Sequence, residues 1–309
     1  MTTAERMITK LLASSRPRAG SLAITVFGDC VAQHGGSVWL GSLVSCLEHF
    51  GLNAQQCRTA IFRLGQDDWI ESERRGRRRF CRLSSEGHRQ YERAARRIYA
   101  ATTPDWNGEW TLLLPSGIDA DQRDVLRRRL GWLGFANFPN GLLAHPCPDA
   151  SAVSLTIAEL GLSEQVVVWE AKSDDIAVLR EQVSASWALN DLSLRYRDFK
   201  TRFEDILDRW DSAQLSGRDA FVIRTLLIHE YRRLILKTVD LPADLLPAEW
   251  PGFETRTLVN RLYGKLAQSS SQWAADHLLG ADGPLGPPRS EFADRFGGIA
   301  RDLYRQSVA

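Results

Sequence analysis

Apolar and polar positions in the first hundred residues recur first with the period of helices and then with that of a hairpin. Over Ser21–His34, Leu22, Val26, Cys30 and Val31 fall on one helical face, and Gly35-Gly36 offers the left-handed backbone of a stop. A second helix is predicted from about Leu40 to His49, with Leu43, Val44, Leu47 and Phe50 inward and Gly51 as its end. Asn53 opens a third helix. Gln56, three residues on, completes a capping box, and Cys57, Ala60, Ile61 and Leu64 form one buried stripe. The other face carries Gln55, Arg58, Thr59, Phe62, Arg63 and Gln66. Two short helices joined by a glycine turn, the second showing Arg, Thr and Gln outward, match a helix-turn-helix.

Trp69–Arg74 and Arg78–Leu83 then read as two strands of a hairpin, or wing, whose tip is Arg75-Gly76-Arg77. Gly76 supplies the backbone freedom of a tight turn. Five of the six residues from Arg74 to Arg79 are arginines, and a polyanion would compensate their mutual repulsion. A helix from Ser84 to about Tyr99 closes this domain.

Beyond a linker at residues 101–109 the pattern alternates. A strand at Glu109–Leu114 precedes a helix at Ala120–Leu133 with Val125, Leu126, Leu130 and Leu133 inward. Short strands at Phe135–Phe138 and Leu142–His145 flank the turn Pro139-Asn140-Gly141. A helix at Ala152–Leu160 and a buried strand at Gln165–Glu170 follow. The order βαββαβ predicts a ferredoxin-like domain. Metal-dependent nuclease chemistry on such a domain needs a carboxylate near the end of the first strand. Here that strand ends in Pro115-Ser116, with Asp119 farther out, so a spacer and dimerisation role is the better expectation.

The remainder reads as helices. Leu189, Leu192, Tyr196, Phe199, Phe203, Ile206 and Trp210 recur at spacings of three and four over Ser186–Asp211, the seam of a bundle core or in part of a dimer interface. Further helices are predicted at Gly217–Val239, Glu254–Ser269 and Ser290–Tyr304, the last after a Gly/Pro-rich loop at Gly280–Pro288. The predicted fold is therefore α+β in three parts: a winged helix-turn-helix over 1–100, a ferredoxin-like domain over 101–175 and an α-helical domain over 176–309.

Charge sharpens this picture. Residues 1–100 hold 16 Lys and Arg against 9 Asp and Glu, whereas residues 101–309 hold 23 against 29. A basic first third on an acidic body points to one part meeting a polyanion. The five cysteines show no C-x-x-C pairing, which argues against a disulfide framework or a zinc site. His229-Glu230 has no second histidine four residues on, so no metalloprotease motif is present and no metal is expected. Neither a nucleophile elbow nor a phosphate loop is visible, and no cofactor or enzymatic activity is expected. No apolar run approaches the roughly 18 residues of a membrane span, and no signal peptide is visible, so a cytoplasmic protein without membrane contact is expected.

The chain resembles the PaaX repressors of phenylacetic acid degradation. The likeness runs through Phe27-Gly28-Asp29, Gly35-Gly36-Ser37-Val38-Trp39-Leu40-Gly41-Ser42-Leu43 and Arg58-Thr59-Ala60-Ile61-Phe62-Arg63-Leu64. It continues in Asp68-Trp69-Ile70, Arg75-Gly76-Arg77-Arg78-Arg79-Phe80, Trp110-Thr111-Leu112-Leu113-Leu114-Pro115, Ile228-His229-Glu230-Tyr231-Arg232-Arg233 and Leu246-Pro247-Ala248-Glu249-Trp250-Pro251-Gly252. The resemblance implies a dimeric repressor that leaves its operator when it binds phenylacetyl-CoA or a related aryl-CoA. Cys57 and Cys81 depart from the apolar and aromatic residues it implies, and Arg79 adds a charge to the wing. A different effector, an activating role and an acyl-CoA-processing enzyme with a basic appendage are the alternatives.

Site expectations follow. Arg58, Thr59 and Arg63 enter the major groove of double-stranded DNA, with Gln55 and Gln66 at its edges. Arg74, Arg75, Arg77, Arg78 and Arg79 grip phosphate or the minor groove. A homodimer predicts an inverted-repeat operator. An acyl-CoA effector needs aromatic walls and arginines. Trp187, Arg195, Tyr196, Arg224, Tyr231, Arg232 and Arg233 supply those types on two helices expected to face each other.

Overall fold

The computed structural model describes residues 2–102, 105–146, 148–173, 175–236 and 241–299. The fold is α+β, and its residues gather into two compact units. The first comprises Met1–Thr102, Tyr196–Leu236 and Phe253–Ala309; the second comprises Thr103–Arg195 and Lys237–Gly252. This departs from three consecutive blocks, because the C-terminal helices share one apolar core with the N-terminal domain.

The first unit begins with α1 (Thr3–Ser15), a helix ahead of those expected from the sequence. Thr2 and Glu5 close a capping box on it, and Ala4, Met7 and Leu11 turn inward. Next come α2 (Ala19–Asp29), a short strand β1 (Ser37–Trp39), α3 (Leu40–Glu48) and α4 (Ala54–Gln66). The helix expected over Ser21–His34 starts earlier and stops at Asp29, giving way to a 3₁₀ turn at Val31–Gln33. Strands β2 (Ile70–Arg75) and β3 (Arg78–Leu83) form the predicted hairpin, and β1 adds to its β3 side to give the order β1-β3-β2. α5 (Ser85–Ile98) follows, capped by Ser84.

The second unit runs β4 (Glu109–Pro115), α6 (Ala120–Trp132), β5 (Ala136–Asn137), β6 (Leu143–His145), α7 (Ala150–Glu159) and β7 (Val166–Lys172), and its four strands make one antiparallel sheet of order β5-β6-β4-β7. Leu113, Leu126, Leu130, Leu143, Val153 and Ile157 fill the layer between sheet and helices. On the opposite face of β4, Trp110 packs against Trp106, Phe138 and Trp187 with ring centroids 5.8–6.3 Å apart. The expectation of a buried strand at Gln165–Glu170 fails. β7 is the edge strand, and only Val166 is buried, while Val167, Val168 and Trp169 are 43–48% exposed. α8 (Ile176–Ser186) completes the unit and Arg180 donates to the Asp244 carbonyl at 2.7 Å.

α9 (Leu189–Asp208) starts after Ala188, whose φ of 49° breaks the long helix expected from Ser186. Its Phe199, Phe203 and Ile206 are core residues, as the seam required. After α10 (Trp210–Ala213), α11 (Gly217–Ile235) is buried along nearly its whole length, and α12 (Pro251–His277) runs well past the predicted Ser269. Phe221, Ile223 and Leu227 of α11 and Val259 and Leu262 of α12 join Leu22, Val26, Phe27, Leu43 and Leu47 in one core. A two-strand hairpin, β8 (Leu279–Gly280) and β9 (Gly283–Pro284), occupies the predicted loop. The helix expected over Ser290–Tyr304 is replaced by 3₁₀ turns at Ser290–Phe292 and Arg295–Gly297; Phe296, Gly297 and Gly298 all have positive φ, which no right-handed helix accommodates. Residues 300–304 lie outside the described residues.

Candidate nucleic-acid interface

The capping box read from the sequence sets the start of α4: the Gln56 backbone N–H donates to the Asn53 side chain at 2.8 Å, and the Asn53 N–H donates back to the Gln56 side chain at 3.0 Å. Cys57, Ile61 and Leu64 anchor the inner stripe, and Gly51, at φ 77°, makes the turn from α3. Gln55, Arg58, Arg63 and Gln66 are exposed on the outer face, and Thr59 is half-buried. The helix presents two flanks. Arg58, Phe62 and Gln66 line a cleft with Ser72 and Arg79 of the hairpin. Gln55, Thr59 and Arg63 line a second depression with Arg18, a basic residue that no periodicity singled out.

The pleat sorts the arginine run into two sets. Arg74 pairs with Arg79 and Arg75 with Arg78 across the strands, so each pair shares a face. The Arg74/Arg79 face continues from Ser72 and Cys81, beside α4. The Arg75/Arg78 face lies with Glu73 and Phe80. There Arg75 donates two hydrogen bonds to Glu73, at 3.1 and 3.3 Å, and stands 3.7 Å from Asp282. Arg75 accordingly holds the Glu73 carboxyl below its usual range, by hydrogen bond and charge together. Arg78 stacks over Trp39 at 4.9 Å, and Arg82 pairs with Glu71 at 2.6 Å. Arg74 closes the turn on the Gly76 carbonyl at 3.1 Å. The repulsion inferred from the sequence is thus partly met within the protein. Arg58, Arg63, Arg77 and Arg79 have no ion pair among the described residues, and neither do Arg18, Arg74 and Arg78, so these guanidiniums keep charge to offer an outside anion.

The seven effector candidates are divided between the two units. Trp187 and Arg195 belong to the second unit; Tyr196, Arg224, Tyr231, Arg232 and Arg233 belong to the first. Trp187 donates to the Gly134 carbonyl at 3.2 Å inside the aromatic cluster, and Arg195 is exposed. Tyr196 and Tyr231 are core residues, Tyr231 packing on Phe199. Arg224 is 1% exposed and its donors are engaged: Asp29 Oδ2 at 2.8 Å, the Asp29 carbonyl at 3.1 Å, and the Ser270 and Ser271 hydroxyls at 2.7 and 3.0 Å. Arg224 and Tyr231 are therefore withdrawn as ligand contacts, because reaching a ligand would uncover the core. Arg233 donates to Glu230 at 3.1 Å, and Glu230 lies 3.5 Å from Arg202. Arg232 is half-buried; burial and Arg233 depress its pKa.

His229, the histidine of the His229-Glu230 pair, shares a hydrogen bond of 3.1 Å with the Thr25 hydroxyl, and burial, Arg232 and Arg233 push its pKa down to about 3. It is a neutral core residue. No cluster of three potential metal ligands occurs among the described residues. Cys30, Cys46, Cys57 and Cys81 are buried free thiols, with Cys30 pushed up to about 12 and Cys81 to about 11, chiefly by burial. Such thiols are protonated and inert; Cys147 lies outside the described residues. No helix among the described residues is long and apolar enough to cross a membrane.

Comparison with known proteins decides the family. Residues 18–87 match the PaaX-like protein profile, residues 103–183 the PaaX protein central Cas2-like domain, and residues 187–276 the PaaX-like protein C-terminal domain. The chain belongs to the PaaX family. It is 35% identical over 284 residues to a protein of Escherichia coli (strain K12) named transcriptional repressor PaaX, covering 90% of each chain. An uncharacterized protein of Mycobacterium tuberculosis has the same fold, with a TM-score of 0.52 at 21% identity over 80% of this chain and 97% of that one. The central segment falls within the second unit, and the first and most of the third fall within the first unit.

Proposed function

We propose that this chain is a DNA-binding transcriptional repressor of a phenylacetate catabolic operon, released from its operator by an aryl-CoA thioester such as phenylacetyl-CoA. In this reading α2 to β3 act as a winged helix-turn-helix and β4 to β7 as a ferredoxin-like middle domain. One observation carries the proposal: α4 turns Arg58, Arg63 and Gln66 outward beside a hairpin that holds Arg79, and none of these arginines has an internal ion-pair partner among the described residues. Arginines free to donate two parallel hydrogen bonds suit guanine edges and phosphates. The name of the Escherichia coli relative supports repression rather than activation or catalysis.

A homodimer on an inverted-repeat operator fits the same reading. β7, with Val167, Val168 and Trp169, pairs with β4 on one side only and presents a free outer edge that a second copy would cover. Arg195, Arg232 and Arg233 remain separate candidate contacts for the phosphates of the effector. The testing experiment is a mobility shift on the duplex upstream of the protein's own gene, with and without phenylacetyl-CoA. The proposal expects a retarded band that the thioester abolishes and that phenylacetate or CoA alone leaves in place. A band indifferent to all three removes the effector, and the absence of any band removes the repressor.

A further inference from the structure

Phe62 stands in the middle of the outward stripe of α4 and is 63% exposed. Single exposed apolar residues are common and mean nothing alone. Its place is what matters. The inner stripe of α4 is already filled by Cys57, Ile61 and Leu64, so the core makes no use of this ring. Along the outer face Phe62 lies one turn beyond Arg58, next to Arg63 and one turn before Gln66, and it shares the cleft with Arg79. Arg and Gln side chains can address the hydrogen-bonding groups of the major groove. They leave the C5-methyl group of thymine, the one apolar group there, without a partner.

We propose that Phe62 is a specificity-determining residue that recognises thymine by packing its ring on the C5-methyl group, between the polar contacts of Arg58 and Arg63. This rests on α4 being the helix that enters the major groove. Exposed to water, the ring gains nothing from the protein; against a methyl group both apolar surfaces are removed from solvent.

The test uses the full-length protein and a duplex that it selects itself from a random pool. Each thymine of that duplex is then replaced, one position at a time, by deoxyuridine, which lacks only the methyl group. At one position per half-site the parent protein should lose about fourfold in affinity, the value of burying roughly one methyl group. Phe62→Ala should bind the thymine and deoxyuridine duplexes equally there, and Phe62→Leu should keep part of the preference. An unchanged urea midpoint for both variants shows that folding is not the cause. If Phe62→Ala keeps the parent's full preference at every position, or if the parent ignores the replacement throughout, the proposal is overturned. A parent that binds no duplex at all overturns the reading of α4 itself, a result distinct from binding without methyl discrimination.

Discussion

Asp29 on α2 accepts a hydrogen bond from Arg224 on α11 at 2.8 Å across 195 residues of chain, and both side chains are sealed from solvent. Arg295 donates to the other carboxylate oxygen at 2.8 Å, and the hydroxyls of Tyr263 and Tyr99 donate to it at 2.7 and 2.8 Å. One carboxylate thus pairs with two buried guanidiniums and fastens the N-terminal domain to the C-terminal helices. Arg295 also stacks on Tyr99 of the segment after α5, its guanidinium carbon 3.7 Å from the ring centre.

Removing that carboxylate leaves two uncompensated charges in the core. Asp29→Asn should therefore cost about 3–5 kcal/mol, the usual cost of breaking a buried pair. Equilibrium urea unfolding measures this, and a loss below about 1 kcal/mol would show the network to be dispensable. Burial raises the Asp29 pKa, but Arg224 and Arg295 outweigh it and hold the carboxyl below its usual range. Its contribution is then present above the unfolded-state pKa of about 4 and is lost as pH falls through the lower folded value.

His229 governs a different pH window. Its folded pKa of about 3 lies below the ordinary histidine value of 6.5, so the unfolded chain binds the extra proton between them. Stability should fall as pH drops from about 6.5, approaching about 1.4 kcal/mol per pH unit well below it. His229→Gln keeps a partner for the Thr25 hydroxyl and should flatten this slope between about pH 6 and pH 4. Urea midpoints across that range, in parent and variant, make the comparison; parallel slopes would assign the acid sensitivity elsewhere.

The flanks of α4 and the tip of the hairpin should behave differently on DNA. Arg63→Ala should cost about 1–3 kcal/mol on the preferred duplex and much less on random sequence, as loss of a base contact does. Arg77→Ala should weaken both duplexes alike and reduce the salt slope by about one unit. Fluorescence anisotropy at several salt concentrations separates the two. Equal losses on both duplexes for Arg63→Ala would move it from base reading to backbone contact.

The edge of the middle sheet yields a prediction about self-association. If the β7 edge joins two copies as proposed, Trp169→Glu, at an exposed strand position, should leave the fold intact while weakening self-association about tenfold or more. Sedimentation equilibrium reads the change directly. A dimer that survives Trp169→Glu with unaltered affinity is held by another surface.

Local chemistry was legible where neighbours in sequence are neighbours in space. Asn53 and Gln56 announced the start of α4, Gly76 the hairpin turn, and the Phe199–Phe203–Ile206 spacing a core seam. Three kinds of information were hidden. The arginine run could not be divided between Glu73, Trp39 and solvent until the strand register was known, because the pleat alternates faces residue by residue. β7 reads as buried from its valines, yet its place at the sheet edge exposes them. The Asp29, Arg224 and Arg295 network joins Asp29 to residues 195 and 266 positions away, so nothing local in the sequence marks Arg224 as a buried partner of Asp29 rather than a ligand contact.

On the proposed reading, the outer face of α4 and the hairpin bind duplex DNA through arginines left without internal ion pairs. The most direct measurement is the association constant for a selected duplex as salt is raised from low to moderate concentration. The expected result is a steep linear fall of log K with log salt, by roughly one unit of slope for each phosphate contacted, made shallower by Arg77→Ala. A flat dependence, or no measurable affinity at low salt, contradicts it.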